Sequence, residues 1–212
     1  MSAASAYKPS SYPLSETALL LLDYQNVLVN MIQDQDQKNK LINSAKTLLD
    51  TARQSNVTIV HCLIDTAQDP PLTNKATELW ATVHRPLLAS TPDSGAEYRD
   101  LAPPANADTS GKESVSVRPP GYRFVLVADG IVPLLRDGKI KHLVLGGIAT
   151  SGAVLGTATH GTDLDFVVTV VGDACWDPNQ GVHRALVDAV LPTQAWVASV
   201  EEAVRYLSAQ VH

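Results

Sequence analysis

Residues 141–173, KHLVLGGIATSGAVLGTATHGTDLDFVVTVVGD, constrain the fold more than any other stretch of the chain. An apolar run, 142–145, leads into a small-residue elbow, 146–153, then an amphipathic segment, 154–164, and a second apolar run, 166–171. A strand buried on both faces, a tight turn, a helix and another buried strand produce that order, which is the βαβ unit of a parallel sheet. In such sheets ligands sit outside the carboxyl ends of the strands, so chemistry is expected at the elbow.

The other segments repeat the alternation. Residues 18–22 (ALLLL) form an apolar run that ends in Asp23, the pattern of a central strand delivering one carboxylate at its carboxyl end. Apolar residues at 41, 42, 45, 48, 49 and 52 predict a helix over 38–55 with one buried stripe, and VTIVHCL at 57–63 predicts strand two. SVSV at 114–117 is a short alternating strand delivering Arg118, stopped by Pro119-Pro120-Gly121. Helices are expected over 127–136, 181–191 and 200–207, a carboxyl-end loop over 173–178 and a last strand over 195–198. Strands alternating with helices predict an α/β domain, a mainly parallel sheet with helices on both faces. Right-handed crossovers then bring the ends of the Asp23, Arg118 and Gly146 strands to one rim.

With 212 residues the chain is one domain, 18–212, preceded by a Ser/Pro-rich arm, 1–17, expected to be flexible. Within the domain, residues 64–113 are rich in proline and weakly periodic, with room for a short helix around 75–83. So long an excursion is a lid, a specificity loop or a subunit contact. A net charge of −6 argues against a nucleic-acid partner, which requires a basic face. Cys62 and Cys175 are too few for a disulfide framework and read as small buried apolar residues. No secretory start or membrane-length apolar run is present, so a cytoplasmic protein without membrane contact is expected.

Four pieces in this order, LLLDYQN, the strand ending in a basic residue before a Pro/Gly turn, GGIATSGAVLGTA and VVGDACWD, resemble the isochorismatase-like hydrolases, also called cysteine hydrolases. The resemblance implies a Rossmann-like three-layer α/β/α fold with a six-stranded sheet, a small-molecule substrate and a homo-oligomer. Most members carry an Asp, Lys and Cys triad. The Asp falls on Asp23, the Lys position holds Arg118, and the Cys position at the start of the elbow helix holds Ala153. The family's elbow also carries a cis peptide, for which Ile148–Ala149 is the matching bond.

An alanine methyl cannot attack a carbonyl, so the thiolate-dependent amide hydrolysis of the family is not expected here. Nor is a metal: the nicotinamidase-type Asp-x-His is replaced by Asp65-Thr66-Ala67. Strict isochorismatases also lack the cysteine; they protonate a vinyl ether and let water take the oxocarbenium. Arginine stays protonated at any working pH, and a fixed cation beside Asp23 lowers a carboxyl pKa by roughly 1–3 units unless burial offsets it. Asp23 and Arg118 are the candidate catalytic pair, with Arg118 also a candidate clamp on a substrate carboxylate or a structural partner of Asp173. Backbone N–H groups of Gly152 and Ala153 are the candidate oxyanion donors. Candidate substrate-binding residues are Tyr24, Gln25, Trp80, Arg85, Ile148, Ala149 and Thr150, although Thr150 and Ser151 also suit helix caps.

The sequence therefore predicts a thiol-independent hydrolase or lyase with no cofactor, acting on a small carboxylate-bearing molecule at a vinyl-ether or related C–O or C–N bond. Two alternatives stand beside it: a catalytically inactive member that binds a metabolite or partner, and an enzyme recruited to dehydration or cyclisation in specialised metabolism.

Overall fold

Every residue of the ALLLL run is buried, because it lies in a strand covered on both faces. The computed structural model describes residues 7–104 and 112–208. In it Thr17–Leu22 form β1, with Ala18, Leu20 and Leu22 in one apolar cluster and Leu19 and Leu21 in the other. Side chains alternate faces along a strand, so an unbroken apolar run is what the middle layer of three requires. With β2 (Thr58–Ile64), β3 (Glu113–Arg118), β4 (His142–Ile148), β5 (Val167–Trp176) and β6 (Trp196–Ala198), β1 makes a six-stranded parallel sheet of order β3-β2-β1-β4-β5-β6.

The described helices are α1 (Asn26–Val29), α2 (Gln35–Gln54), α3 (Ala76–Leu79), α4 (Arg85–Ser90), α5 (Ile131–Asp137), α6 (Leu155–Asp163), α7 (Gln180–Ala185) and α8 (Val200–Leu207). α2 and α8 supply the apolar cluster on one face of the sheet, α5 and α6 that on the other. The fold is the Rossmann-like α/β/α sandwich that the sequence predicts. None of the described helices is long and apolar enough to cross a membrane.

Local chemistry shifts several boundaries. α2 begins at Gln35 rather than Lys38, because the Asp34 carboxylate caps it, accepting from the amides of Asp36 and Gln37 at 2.9 and 3.1 Å. β5 runs on to Trp176 through the residues expected to form a loop. Its register slips there, Leu145 facing Val170 but Gly147 facing Cys175, so a bulge absorbs the extra residues and pairing resumes. The excursion holds more helix than expected: α3 continues through a wide turn at Trp80–His84 into α4. Such a turn accommodates Pro86, which has no N–H to offer the ladder.

The N-terminal arm, expected to be loose, is packed over residues 7–16. Pro9 is buried, the Tyr7 ring stacks on Trp196, and the Trp196 indole donates to the Tyr7 carbonyl at 3.1 Å. Residues 1–6 of the arm and 105–111 of the excursion lie outside the described residues.

β1 and β4 are neighbours from which the chain leaves in opposite directions, so the crevice between their carboxyl ends is the switch point of the sheet. Glycine permits the close approach there: a Cβ on Gly147 would stand 2.5 Å from both the Cβ and the carbonyl oxygen of Leu22. Gly147→Ala is expected to cost at least about 1–3 kcal/mol through overpacking, read as a lowered denaturant midpoint. A midpoint equal to wild type would show that the two strands part freely.

The excursion returns to the sheet along residues 93–98. Asn26 and Val27 donate their amides to the carbonyls of Ala96 and Ser94 at 2.9 and 2.8 Å, and Tyr98 donates to Tyr24 at 2.8 Å. Glu97, on this segment, meets the buried His61 ring at 2.9 Å; the second ring nitrogen meets Glu113 at 2.9 Å, and Arg53 holds Glu113 through two N–H donors. Burial alone pushes His61 down, but the hydrogen bonds and charges of Glu97 and Glu113 win and raise it. Burial likewise raises Glu97 against the opposing pull of His61.

The two shifts act in different windows: the loss from raised Glu97 begins above the ordinary carboxyl value, and that from raised His61 at higher pH. The stabilisation from protonated His61 is complete below the ordinary imidazole value of about 6.5 and is lost as pH rises through the raised folded value. Glu113, held low by Arg53 and His61 against its burial, adds stability that is lost only as pH falls through its own depressed value. Unfolding free energy is therefore expected to decline on the alkaline side of about pH 6.5. A His61→Asn variant should lack that decline; an unchanged slope in the variant would show that another group titrates.

Candidate active site

Asp23 follows the last residue of β1 and leaves the strand direction at once, its backbone in the left-handed region at φ 56°. Asp is among the few residues that tolerate this conformation. Its amide still donates to the Cys62 carbonyl at 2.8 Å, which fixes the turn against β2. Arg118 ends β3, on the far side of β2 from β1, and its long side chain spans that strand. Two terminal nitrogens meet the two Asp23 oxygens, both at 2.6 Å, and Nε donates to the Tyr122 carbonyl at 2.9 Å. The pair is almost wholly removed from solvent, Asp23 2% and Arg118 3% exposed.

The partner of Arg118 is thus Asp23, and not Asp173, whose carboxylate accepts the Val200 amide at the start of α8 at 2.9 Å. Burial pushes the Asp23 carboxyl upward, while the charge and hydrogen bonds of Arg118 pull against it. Burial wins, the case in which the lowering by the cation is offset. Arg118 is held above its ordinary value, since the charge and hydrogen bonds of Asp23 outweigh burial, and stays a cation. Each terminal nitrogen of Arg118 keeps one N–H beyond those given to Asp23.

The carboxyl end of β4 carries the other wall. The Ile148–Ala149 peptide bond is cis, and Thr150–Val154 form a wide turn that opens into α6. Asp177, buried in the loop after β5, pins this turn by accepting the Ser151 amide at 2.8 Å. Of the two expected oxyanion donors, the Gly152 amide is already given to the Ala149 carbonyl at 3.0 Å, which leaves the Ala153 amide as the candidate. Ala153 is where the family pattern places the nucleophile, and it is among the residues that line the cavity.

That cavity, about 280 Å³, lies over the switch point and brings Asp23, Arg118, Ile148, Ala149, Gly152 and Ala153 together. Gln25 also borders it, but its amide is consumed by structure: Nε2 donates to the carbonyls of Ile64 and Gly95 at 3.0 and 2.7 Å, and Oε1 accepts the Ile64 amide at 2.9 Å. Trp80 forms part of the wall, fixed by an indole N–H bond to Asp69 at 3.0 Å.

Three candidates stand elsewhere. Tyr24 is fully buried, with its hydroxyl bonded to the Ala174 carbonyl. Arg85 is exposed and paired with Asp69, so it reaches the cavity only by steadying the residue that steadies Trp80. Thr150 is fully buried, and its hydroxyl meets His183 Nδ1 at 2.8 Å, a pair that does not line this cavity.

Trp176, which sequence alone leaves open as a core or a pocket-rim residue, lines this cavity from the end of β5 rather than from a loop. His84, a residue of the excursion that could close over a ligand, is half-buried at the cavity and pushed down by burial, whereas sequence reasoning missed Arg123. The one signal for Arg123 was its position, shortly after Arg118 beyond the Pro/Gly turn. Both cysteines are buried and free; burial pushes Cys62 far up and Cys175 to about 12, which disfavours the thiolate at both.

Several solved structures share this architecture. A cysteine hydrolase from Pseudomonas syringae pv. phaseolicola 1448A superposes with a TM-score of 0.75 at 16% identity, over 92% of this chain and 94% of that one. An isochorismatase family protein from Burkholderia thailandensis gives a TM-score of 0.71 at 18% identity, over 91% and 96% of the two chains. An N-carbamoylsarcosine amidase from Thermoplasma acidophilum gives 0.65 at 18% identity, over 88% and 97%. A search of curated proteins found no match. The family model described as "Isochorismatase domain" matches residues 17–202, which span β1 through the start of α8 and contain the whole of the cavity floor. By that match, on a fold whose switch point carries the Asp23–Arg118 pair beside an elbow without its cysteine, the chain belongs to the isochorismatase family.

Proposed function

We propose that the protein is a thiol-independent hydrolase of the isochorismatase-like family, acting on a small molecule that carries a carboxylate. The observation that supports this best is the buried Asp23–Arg118 pair on the floor of a largely apolar cavity. Asp23 rests as the carboxylate paired with Arg118, and burial that raises its carboxyl lets it take up a proton for transfer more readily than an exposed aspartate does, while Arg118 fixes its position.

The chemistry that fits is protonation of a vinyl ether. Asp23 gives a proton to the terminal carbon of the C=C bond, and the resulting oxocarbenium takes water at the adjacent carbon. The hemiketal so formed loses the alcohol, yielding a carbonyl compound and returning the proton to the carboxylate. The Ala153 amide, at the opening of the elbow helix, is aimed at negative charge on a related C–O or C–N substrate. The excursion closes one side of the cavity, which Leu79 also lines, and leaves Leu79, Val83 and Leu87 exposed, a surface that suits the homo-oligomer the resemblance implies.

The test is product formation from a panel of small vinyl ethers, carboxamides and esters. Hydrolysis of a vinyl ether without modification by thiol reagents supports the proposal. A second reading, a ligand-binding member without turnover, is favoured by the Ala153 methyl at the nucleophile position. It gains if no panel compound reacts while some raise the melting temperature.

A further inference from the structure

We propose that Arg123 selects the substrate: it anchors the carboxylate of a small molecule whose aromatic body fills the cavity, an inference resting on the reading of this cavity as the active site. Charge within the cavity carries it first. Asp23 and Arg118 neutralise each other through two hydrogen bonds, so neither presents net charge to a ligand. His84 is driven toward its neutral form by burial. Among the described residues, Arg123 makes no ion pair, and it borders the same cavity.

Its position also fits. Arg123 is exposed overall, but its Nη1 lies 3.8 Å from where a Cβ on Gly152 would stand, so the charged tip reaches the elbow beside Ala153 at the cavity mouth. A planar guanidinium with open N–H donors takes a carboxylate in two parallel hydrogen bonds. Arg118 lacks that freedom, because one N–H on each terminal nitrogen and Nε are already given to protein oxygens.

The walls define the rest of the ligand. Trp80 and Trp176 both line the cavity, and both indole N–H groups are spent outside it, on Asp69 at 3.0 Å and Gln37 at 2.7 Å. They therefore offer apolar ring surface and no hydrogen bonds, and Met31, Leu88 and Ile148 beside them add aliphatic surface. At about 280 Å³ the cavity lies at the small end of the usual ligand range, which suits one ring with short substituents.

The experiment is an equilibrium titration of the whole chain with benzoate and, as the neutral probe of the same shape, benzyl alcohol, followed by tryptophan fluorescence. Wild type is expected to bind benzoate about tenfold more tightly than the alcohol, with the preference shrinking at high salt because Arg123 is at the cavity mouth. Arg123→Gln should lose that preference and leave alcohol binding unchanged; Arg123→Lys should keep part of it. Unchanged benzoate affinity in Arg123→Gln, equal binding of both probes by wild type, or binding of neither overturns the inference. Binding needs no turnover, so any of these results leaves the proton-transfer role of Asp23 to its own test, and loss of that role leaves the anchor standing.

Discussion

Asp23→Asn is expected to lower turnover by about 10²–10⁴-fold, the range associated with losing a positioned acid or base. It should also lower stability by about 3–5 kcal/mol, because the amide leaves the Arg118 guanidinium buried without a countercharge. The two losses separate in the double variant Asp23→Asn, Arg118→Met. Removing the second charge as well takes away the penalty of a lone buried cation, so stability should recover most of the way while activity stays absent. Turnover and chemical denaturation measured on the same three proteins decide the matter. A double variant that hydrolyses substrate at the wild-type rate would falsify the role given to Asp23. A single variant as stable as wild type would mean that water reaches the guanidinium.

Ala153→Cys is expected to change thiol reactivity by roughly 10³-fold. Wild type should resist iodoacetamide while folded, since Cys175 is held at about 12 and Cys62 is driven up as well, both by burial. A thiol at position 153 stands on the cavity wall at the start of the elbow helix, an environment that favours the thiolate. Mass spectrometry of the intact chain should show a single added label in the variant, blocked by a ligand that fills the cavity. Labelling as slow as wild type would place residue 153 out of reach of the cavity. Rapid labelling without hydrolysis of carboxamides would show that a thiol alone does not restore the family's amide chemistry when arginine replaces lysine.

Much of this fold follows from patterns that are local along the chain. The ALLLL run, the stripe of α2 and the glycine elbow each report their own burial, because alternation on a strand and a helical stripe are set by neighbours a few residues apart. That Asp23, Arg118 and Ala153 sit at strand ends on one rim follows from the handedness of crossovers. Errors arose where a distant contact overrode the local signal. Trp176 looked like a loop residue until a bulge let β5 pair again with β4, and Gln25 looked free until Ile64 and Gly95 took both ends of its amide.

The sequence by itself determined the layers, the order of the elements and the chemistry missing from the nucleophile position, since each is written in residue type and spacing. Tertiary structure alone decided which groups are spent and which are open. Arg118 is bound to Asp23, Thr150 is turned to His183, both tryptophan N–H groups are taken, and Arg123 is left to face the cavity. The physical reason is that a hydrogen bond and a pKa depend on separation in space and on exclusion of water, and residues 95 positions apart, such as Asp23 and Arg118, acquire both only when the sheet closes.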